Sequence, residues 1–386
     1  MIINVEFLCD EPVENIITSL NFKVDKTIFF GSAEMIGKWK IPTKRFLKNH
    51  CGVKDVKFYM LPQDDLNGIV EIMRGVLVKE DCGDHKIFFD VTGGEGLPLI
   101  AFGILSKEIS ASMHMYDVEK NLLFDYGNDK ENAISTAAPK QCISLNIAGF
   151  IEMQGGIVND DLHKDFKNAE GDEGRDTVNK LWELNLKYIR EWNHFSYVLR
   201  SIPVNTNDRV DTSISNLRNT IQKHRKFSLE KFKAMLFDFA NAGMFVNVSI
   251  DNTHCRFQYA SELIKRCLWD AGSVLELQCY YDELDLDDCT DCRVGVHLDW
   301  DGMIHADRNE DVINEIDVIS LHGNIPTFIS CKSGCNVDQN ALYELEAVAR
   351  RLGGKYVRKK LVLMQELGAA HRLRAEEMGI EVVVKI

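Results

Sequence analysis

The chain has 386 residues, 45% of them hydrophobic, which is enough for two or three domains with sizeable cores. A formal net charge of −14 argues against a general nucleic-acid coat protein, but not against a nuclease whose metal ions neutralise the site locally. The eleven cysteines follow no disulfide framework, MIINVEFL lacks the basic start and apolar length of a signal peptide, and no stretch approaches a membrane span. The expectation is a cytoplasmic protein with reduced thiols and no membrane partner.

Residues 1–145 alternate strand, loop and helix. An apolar run over 2–8 predicts a buried strand, and Cys9-Asp10-Glu11-Pro12 then opens a helix, because an acid followed by proline suits a first helical turn. Strands are predicted over 27–30, 56–61 and 86–91, each followed by a helical stretch, and strands over 113–118 and 122–126 close the sheet. This alternation indicates a doubly wound α/β domain, whose ligands bind outside the carboxyl ends of its strands. The loops there hold Cys9, Asp10 and Glu11, then Gly31, Ser32 and Met35, then Thr92, Gly93, Gly94, Glu95 and Gly96. The last loop sets two adjacent glycines before a helix N-terminus, which bares backbone N–H groups to an anion. It lacks the Gly-Lys-Ser/Thr ending of a P-loop and the GxGxxG spacing, and a tight turn explains its glycines equally well.

Residues 146–262 form a connector. The polar, acidic stretch 153–174 reads as a linker or exposed loop. Val178, Leu181, Leu184, Tyr188, Trp192, Phe195 and Leu199 keep helical periodicity and predict one helix over 177–202, its aromatics serving the core. Helices over 213–223 and 228–242 follow, the second capped by Ser228. Apolar runs over 244–250 and 254–259 flank Asp251-Asn252 as a hairpin, so helices followed by a hairpin suggest a winged-helix unit. DNA binding is one role for it. A spacer with dimer contacts is favoured, because the candidate recognition helix is not strongly basic.

Residues 263–386 read as helix, three strands, helix, strand, helix, strand. The first helix spans 261–275 with Glu276 at its end, and the strands span 293–300, 316–321 and 325–331. Gly323-Asn324 makes the last two a β-hairpin. Asp317 at its head and Lys332 at its tail therefore meet at one sheet end. An acid there can hold a divalent metal, and an amine can orient water or neutralise charge on a phosphate. Glu315 is a spare acid expected to point away from Asp317. Leu342, Leu345, Val348, Ala349 and Leu352 form the inner face of a helix over 339–352. Arg350, Arg351, Lys355, Arg358, Lys359 and Lys360 are equally a phosphate track or a solvated helix end. Cys289 and Cys292 with Cys331 and Cys335 offer four thiolates to zinc, but the irregular second spacing favours free thiols. His297 and His305 read as polar surface.

Asp317, the hairpin and Ser330-Cys331-Lys332 resemble the core of the PD-(D/E)xK nuclease superfamily, with Ser330 where that pattern has an acid. The stretch 271–276, a glycine and an apolar run ending in Glu276, resembles the superfamily's preceding-helix motif. The resemblance implies that Glu276, Asp317 and the Cys331 carbonyl hold Mg²⁺ or Mn²⁺, that Lys332 positions water, and that Gln339 touches substrate or metal-bound water. Thr92-Gly93-Gly94 resembles the ligand loop of CARF domains, with Glu95 and Gly96 in place of the usual Thr and Lys. That implies a homodimer binding a cyclic oligoadenylate, cyclic tetra-adenylate first, across its two-fold axis. The expected architecture is α/β: a Rossmann-like CARF domain, a helical, winged-helix-like connector and a restriction-endonuclease-like domain. The order resembles the cyclic-oligoadenylate-activated ancillary nucleases of type III CRISPR defence, and implies an endonuclease that nicks or cleaves DNA and cleaves single-stranded RNA. A CARF transcription regulator with a degenerate nuclease-like domain is the alternative, and a sensor that itself degrades the ring is a third.

Overall fold

The computed structural model describes residues 1–62, 65–128, 134–136, 139–162, 166, 169–223, 227–303, 313–334 and 339–386. His305, Cys335 and the side chain of Gln339 lie outside the described residues.

The N-terminal unit runs β1 (Ile2–Phe7), a 3-10 turn (Pro12–Asn15), α1 (Ile17–Asn21), β2 (Lys26–Gly31), α2 (Ala33–His50), β3 (Asp55–Met60), α3 (Leu66–Lys79), β4 (Lys86–Asp90), α4 (Gly96–Glu108), β5 (Ser112–Asp117), β6 (Leu122–Asn128), β7 (Ile134–Thr136) and β8 (Lys140–Gln141). Its sheet has the order β3-β2-β1-β4-β5-β6-β7; β1 to β5 are parallel, and β6 is antiparallel to β5. Strand alternation sends Ile28 and Phe30 into a core with Met73 and Phe102 of α3 and α4, and Phe29 into one with Trp39 and Phe46 of α2. The strand order reverses between β1 and β4, so the loops after these strands flank the crevice where such sheets take ligands.

The connector departs from the sequence expectation in three places. First, α5 (Ile147–Met153) precedes the stretch expected to be a linker, and β9 (Ile157–Val158) lies within it and pairs with a strand of the C-terminal sheet, Leu298 facing Val158. A two-residue strand carries no periodic signal. Gly156 permits the approach, since a Cβ there would lie 2.7 Å from Leu352 and 2.9 Å from the Asp299 carbonyl. Second, the single helix expected over 177–202 is two, α6 (Asp172–Lys187) and α7 (Trp192–Ser201), whose apolar faces share one core. Third, β10 (Arg209–Ser213) precedes α8 (Ile214–Ile221), and Ser213 caps that helix by accepting the Asn216 N–H. With α9 (Leu229–Asn241), β11 (Phe245–Ile250) and β12 (His254–Tyr259), this makes a three-stranded, winged-helix-like unit of order β10-β12-β11.

The C-terminal unit contains α10 (Glu262–Trp269), α11 (Ser273–Leu284), β13 (Cys289–Asp299), β14 (Ile313–His322), β15 (Ile325–Lys332), α12 (Gln339–Leu352), β16 (Arg358–Leu363), α13 (Ala369–Glu377) and β17 (Ile380–Val384). The helix expected over 261–275 breaks where Asp270 turns extended, so Glu276 lies in the first turn of α11 rather than at a helix end. The sheet order is β17-β16-β15-β14-β13-β9, an antiparallel meander continued by parallel β16 and β17. One set of its residues, Val318, Ile329 and Val362, packs with α11 and the connector; another, Ile319, Phe328 and Leu361, packs with α12 and the N-terminal unit. The hairpin turn docks on the N-terminal sheet: the buried Asn324 amide donates to the Tyr116 hydroxyl (3.0 Å), Asn121 (3.2 Å) and the Ile143 carbonyl (3.2 Å). Among the described residues no helix is long and apolar enough to cross a membrane.

Glu283 of α11 is the charged centre of this unit. It accepts from Ser320 (2.6 Å) and Lys360 (2.7 Å) and faces His322 (3.1 Å), whose other ring nitrogen faces Asp288 (3.0 Å). Burial alone would raise its carboxyl, but His322, Lys360 and Ser320 outweigh burial and hold it at about 2. The contact with Glu283 in turn raises His322. Glu283→Gln strands the Lys360 charge and is expected to cost about 3 kcal/mol in denaturant unfolding. The Glu283 share of stability is present above about 4.3 and lost as pH falls through about 2. The His322 share is present below about 6.5 and lost as pH rises through its raised folded value. The gap between wild type and variant is therefore expected to narrow at both ends of the pH range.

Candidate functional site

The paired register of β14 and β15 runs from His322 opposite Ile325 to Val318 opposite Ile329. At the next position the Asp317 side chain takes over from the ladder. Its Oδ2 accepts the Cys331 N–H (2.6 Å) and the Ser330 hydroxyl (3.2 Å), and Lys332 Nζ stands 4.0 Å from the same oxygen. Carboxylate, hydroxyl and ammonium thus converge at the open end of the hairpin, as the Asp317 and Lys332 positions predict. Ser330 gives Asp317 a donor where a second acid would give it a like charge.

A cavity of about 60 Å³ opens on this group, walled by Asn314, Glu315, Asp317, Ser330, Lys332 and Glu344. Glu315 was expected to face away, but residues two apart on a strand share a face, and both acids line the cavity. Glu344 of α12 was missed, because only the apolar positions of that helix were used to orient it. Glu276 is buried and does not line the cavity. Its charge reaches Cys331, whose thiol lies 3.6 Å from that of Cys279 on α11. That thiol contact and burial drive the Cys331 thiol far up, with Asp317 and Glu276 adding to the effect. The carboxylates here are hard oxygen donors of the kind Mg²⁺ and Mn²⁺ take. Among the described residues no three His, Cys, Asp or Glu side chains already converge as a metal cluster, at Cys289 and Cys292 or elsewhere.

At the crevice of the N-terminal sheet, the structure gathers Cys9, Asp10, Glu11, Gly93 and Gly94. Asp90 at the end of β4 accepts the Thr92 N–H (2.7 Å) and the Thr18 hydroxyl, and burial pushes its carboxyl up to about 6. Thr92 turns inward, its hydroxyl oxygen accepting the Tyr116 N–H (2.9 Å). Gly93 touches the floor: a Cβ there would lie 2.4 Å from Glu14 Oε2 and 2.8 Å from Cys9 Sγ. Gly94 holds φ +138, where only glycine is unstrained. Glu95 is exposed and Gly96 starts α4. Burial and Glu14 drive the Cys9 thiol up. Asp10 accepts from Lys38 (2.5 Å) and the Trp39 indole (2.8 Å). On neighbouring β2, Gly31 ends the strand and Ser32 caps α2 by accepting the Met35 N–H (3.2 Å).

A second cavity, about 950 Å³, lies where Cys9, Asp10 and Gly94 face Arg350, Arg351 and Lys355. The basic run is largely engaged within the molecule, rather than forming a free track or a solvated end. Lys355 pairs with Glu14 (2.5 Å), Lys359 with Glu346 (2.5 Å) and Lys360 with Glu283 (2.7 Å), while Arg351 donates to the Gln154 (3.0 Å) and Trp300 (2.5 Å) carbonyls.

Residues 264–385 match the family model described as the Card1-like endonuclease domain. No curated protein matches the chain. Protein VC1899 from Vibrio cholerae shares the fold at TM-score 0.69 and 17% identity, over 99% of this chain and 94% of that one. Can2 from Sulfobacillus thermosulfidooxidans, solved in complex with cyclic tetra-adenylate, does so at TM-score 0.65 and 13% identity, over 99% and 95%. A type III CRISPR defence DNA nuclease activated by cyclic oligoadenylate does so at TM-score 0.52 and 13% identity, over 95% of this chain and 46% of that one. The chain therefore shares its overall fold with these proteins over nearly its whole length.

Asp317→Ala leaves the Cys331 N–H and the Ser330 hydroxyl without their acceptor and is expected to cost about 1–3 kcal/mol in chemical denaturation. Asp317→Asn, which keeps an acceptor oxygen, is expected to cost less than half of that.

Proposed function

We propose, from a chain whose residues 264–385 match the Card1-like endonuclease domain, that this protein is a metal-dependent endonuclease switched on by a cyclic oligoadenylate in type III CRISPR defence. The observation that carries the reading is that the matched segment contains the joined Asp317, Ser330 and Lys332.

The chemistry that Mg²⁺ or Mn²⁺ supplies when bound is polarisation of a phosphate oxygen and activation of water. Asp317, the Cys331 carbonyl and Glu276 are the proposed holders, with Glu315 and Glu344 as further oxygen donors on the cavity wall. Lys332 neutralises charge developing on the scissile phosphate. The Ser330 hydroxyl holds the Asp317 carboxylate in one orientation. Gln339, at the start of α12, is proposed to contact substrate. DNA and single-stranded RNA are the proposed substrates.

In the sensor, the backbone N–H groups at Gly93 to Gly96, before α4, are the proposed seat for ring phosphates. Cyclic tetra-adenylate is the first candidate, as the molecule in the Can2 complex. Cys9, Asp10, Glu11, Gly31, Ser32 and Met35 form the surrounding wall. Beside this loop, α4 exposes Ile100 and Ile104, and α3 exposes Ile72. A second copy of the chain covering that face brings two loops round one ring, which is the proposed homodimer.

The test is cleavage of labelled single-stranded DNA, single-stranded RNA and supercoiled plasmid with Mn²⁺, with and without cyclic tetra-adenylate. Cleavage is expected to need both metal and ring, and Lys332→Ala to lower the rate by about 10²–10³. Near-normal cleavage by that variant would falsify the site. Ring binding and metal-independent binding of one duplex sequence, with no cleavage, would instead support a regulator in which Ser330 marks a lost acid. Loss of the ring to linear products without nucleic acid would reveal a ring-degrading sensor. Ile104→Glu is expected to shift the protein to monomer in light scattering and to weaken ring binding.

A further inference from the structure

The N-terminal and C-terminal units meet at a charged contact directly beneath the ligand loop. Glu14 sits on the turn Pro12–Asn15 that follows β1, and its side chain is 6% exposed. Its Oε1 accepts Lys355 Nζ (2.5 Å) and the Tyr356 hydroxyl (2.6 Å), and its Oε2 accepts the Cys9 thiol (3.3 Å). The neighbouring Glu11 accepts the Lys355 N–H (2.7 Å) and the Gln154 amide (3.5 Å). Burial is the leading influence on Glu11 and raises its carboxyl.

Both sides of this contact close onto glycine. Gly93 of the ligand loop has no room for a Cβ against Glu14, and Gly354 (φ +71) has none against Glu11, where a Cβ would lie 2.7 Å from Oε1. Gly93 is therefore in close contact with Glu14, and movement of the loop toward the floor presses on that side chain. On the other side, Lys355 and Tyr356 join α12 to β16. β16 lies in parallel register with β15, setting Leu363 beside Lys332 and Val362 beside Cys331. A shift of residues 354–356 thus acts on the strand beside the nuclease residues and on the helix that carries Glu344.

We propose that the bonds of Glu14 to Lys355 and Tyr356 form a latch that holds the nuclease domain in its resting arrangement, released when an anionic ligand occupies the Gly93–Gly94 loop. This rests on the ring-activated reading above and names the residues that couple its two halves. A phosphate seated on the loop brings negative charge beside Glu14 and offers Lys355 a competing anion. Both effects disfavour the latched state, which gives the ligand the differential affinity that any such shift requires.

The test uses the full chain as wild type, Glu14→Gln, Lys355→Met and the double variant. Three quantities are measured: cleavage with and without cyclic tetra-adenylate, ring binding by calorimetry, and hydrogen exchange over residues 353–357 in ring-free protein. Each single variant is expected to raise ring-free cleavage about tenfold, about 1.4 kcal/mol in the resting equilibrium. The double variant adds little more, since both remove one interaction. Ring affinity is expected to tighten by no more than the same factor. Tyr356→Phe keeps the ion pair and guards against a folding artefact; its expected rise is about threefold, with an unchanged melting temperature. Unchanged ring-free cleavage with full activation overturns the latch. Lost activation with intact ring binding overturns it too, because the contact then transmits rather than restrains. If wild type ignores the ring, the ring-activated reading fails. The latch is then judged by hydrogen exchange alone: at least tenfold faster exchange in the variants sustains it, and unchanged exchange removes it.

Discussion

One buried side chain ties the hairpin to the rest of the molecule. Asn324, 1% exposed, spends its amide on Tyr116, Asn121 and the Ile143 carbonyl, and its oxygen accepts the Leu145 N–H at 2.9 Å. Every one of these partners belongs to the N-terminal unit or its exit. The turn end of the hairpin is therefore bolted to the N-terminal sheet, while the open end carries Asp317 and Lys332. A polar group buried with all its bonds made is costly to displace, so the hairpin moves with the sheet beneath it.

The two units are not independent bodies joined by a tether. The apolar cluster that includes Phe29, Trp39 and Phe46 of the N-terminal unit also includes Ile319, Phe328 and Leu345 of the C-terminal unit. The start of the connector supplies α5 and the edge strand β9 to the same assembly. Two kinds of contact join the β1–β4 crevice to the C-terminal unit: the packed core with Asn324, and the charged contact at Glu14 and Lys355. The first is stiff because it is close-packed; the second is a pair of hydrogen bonds beside solvent, and so the easier of the two to break.

At the candidate nuclease site the departure at Ser330 has a local consequence. With a hydroxyl there, Asp317 is held by two donors, the Ser330 hydroxyl and the Cys331 N–H, and stands opposite one ammonium. Further carboxylates come from β14 and α12, through Glu315 and Glu344, which line the same cavity, while Glu276 of α11 is buried and does not line it.

Some of this was legible in the residues alone. Gly323-Asn324 between apolar runs specifies a hairpin, so Asp317 and Lys332 must meet, and strand–helix alternation over 1–145 specifies a doubly wound sheet with its loops at one end. These are local rules of period and turn chemistry, and they act within a few residues. The break at Asp270–Gly272, the two-residue β9 and the split of the 177–202 helix were not legible, because packing against distant elements outweighs weak local preference there. Glu344 and Glu315 share a cavity wall with Asp317 only because α12 lies beside the hairpin. The Glu14–Lys355 contact joins residues 341 positions apart. No pattern in a chain predicts a pair so separated; only the tertiary structure, by closing one unit onto the other, decides that an acid under the Gly93–Gly94 loop holds a lysine of the C-terminal unit.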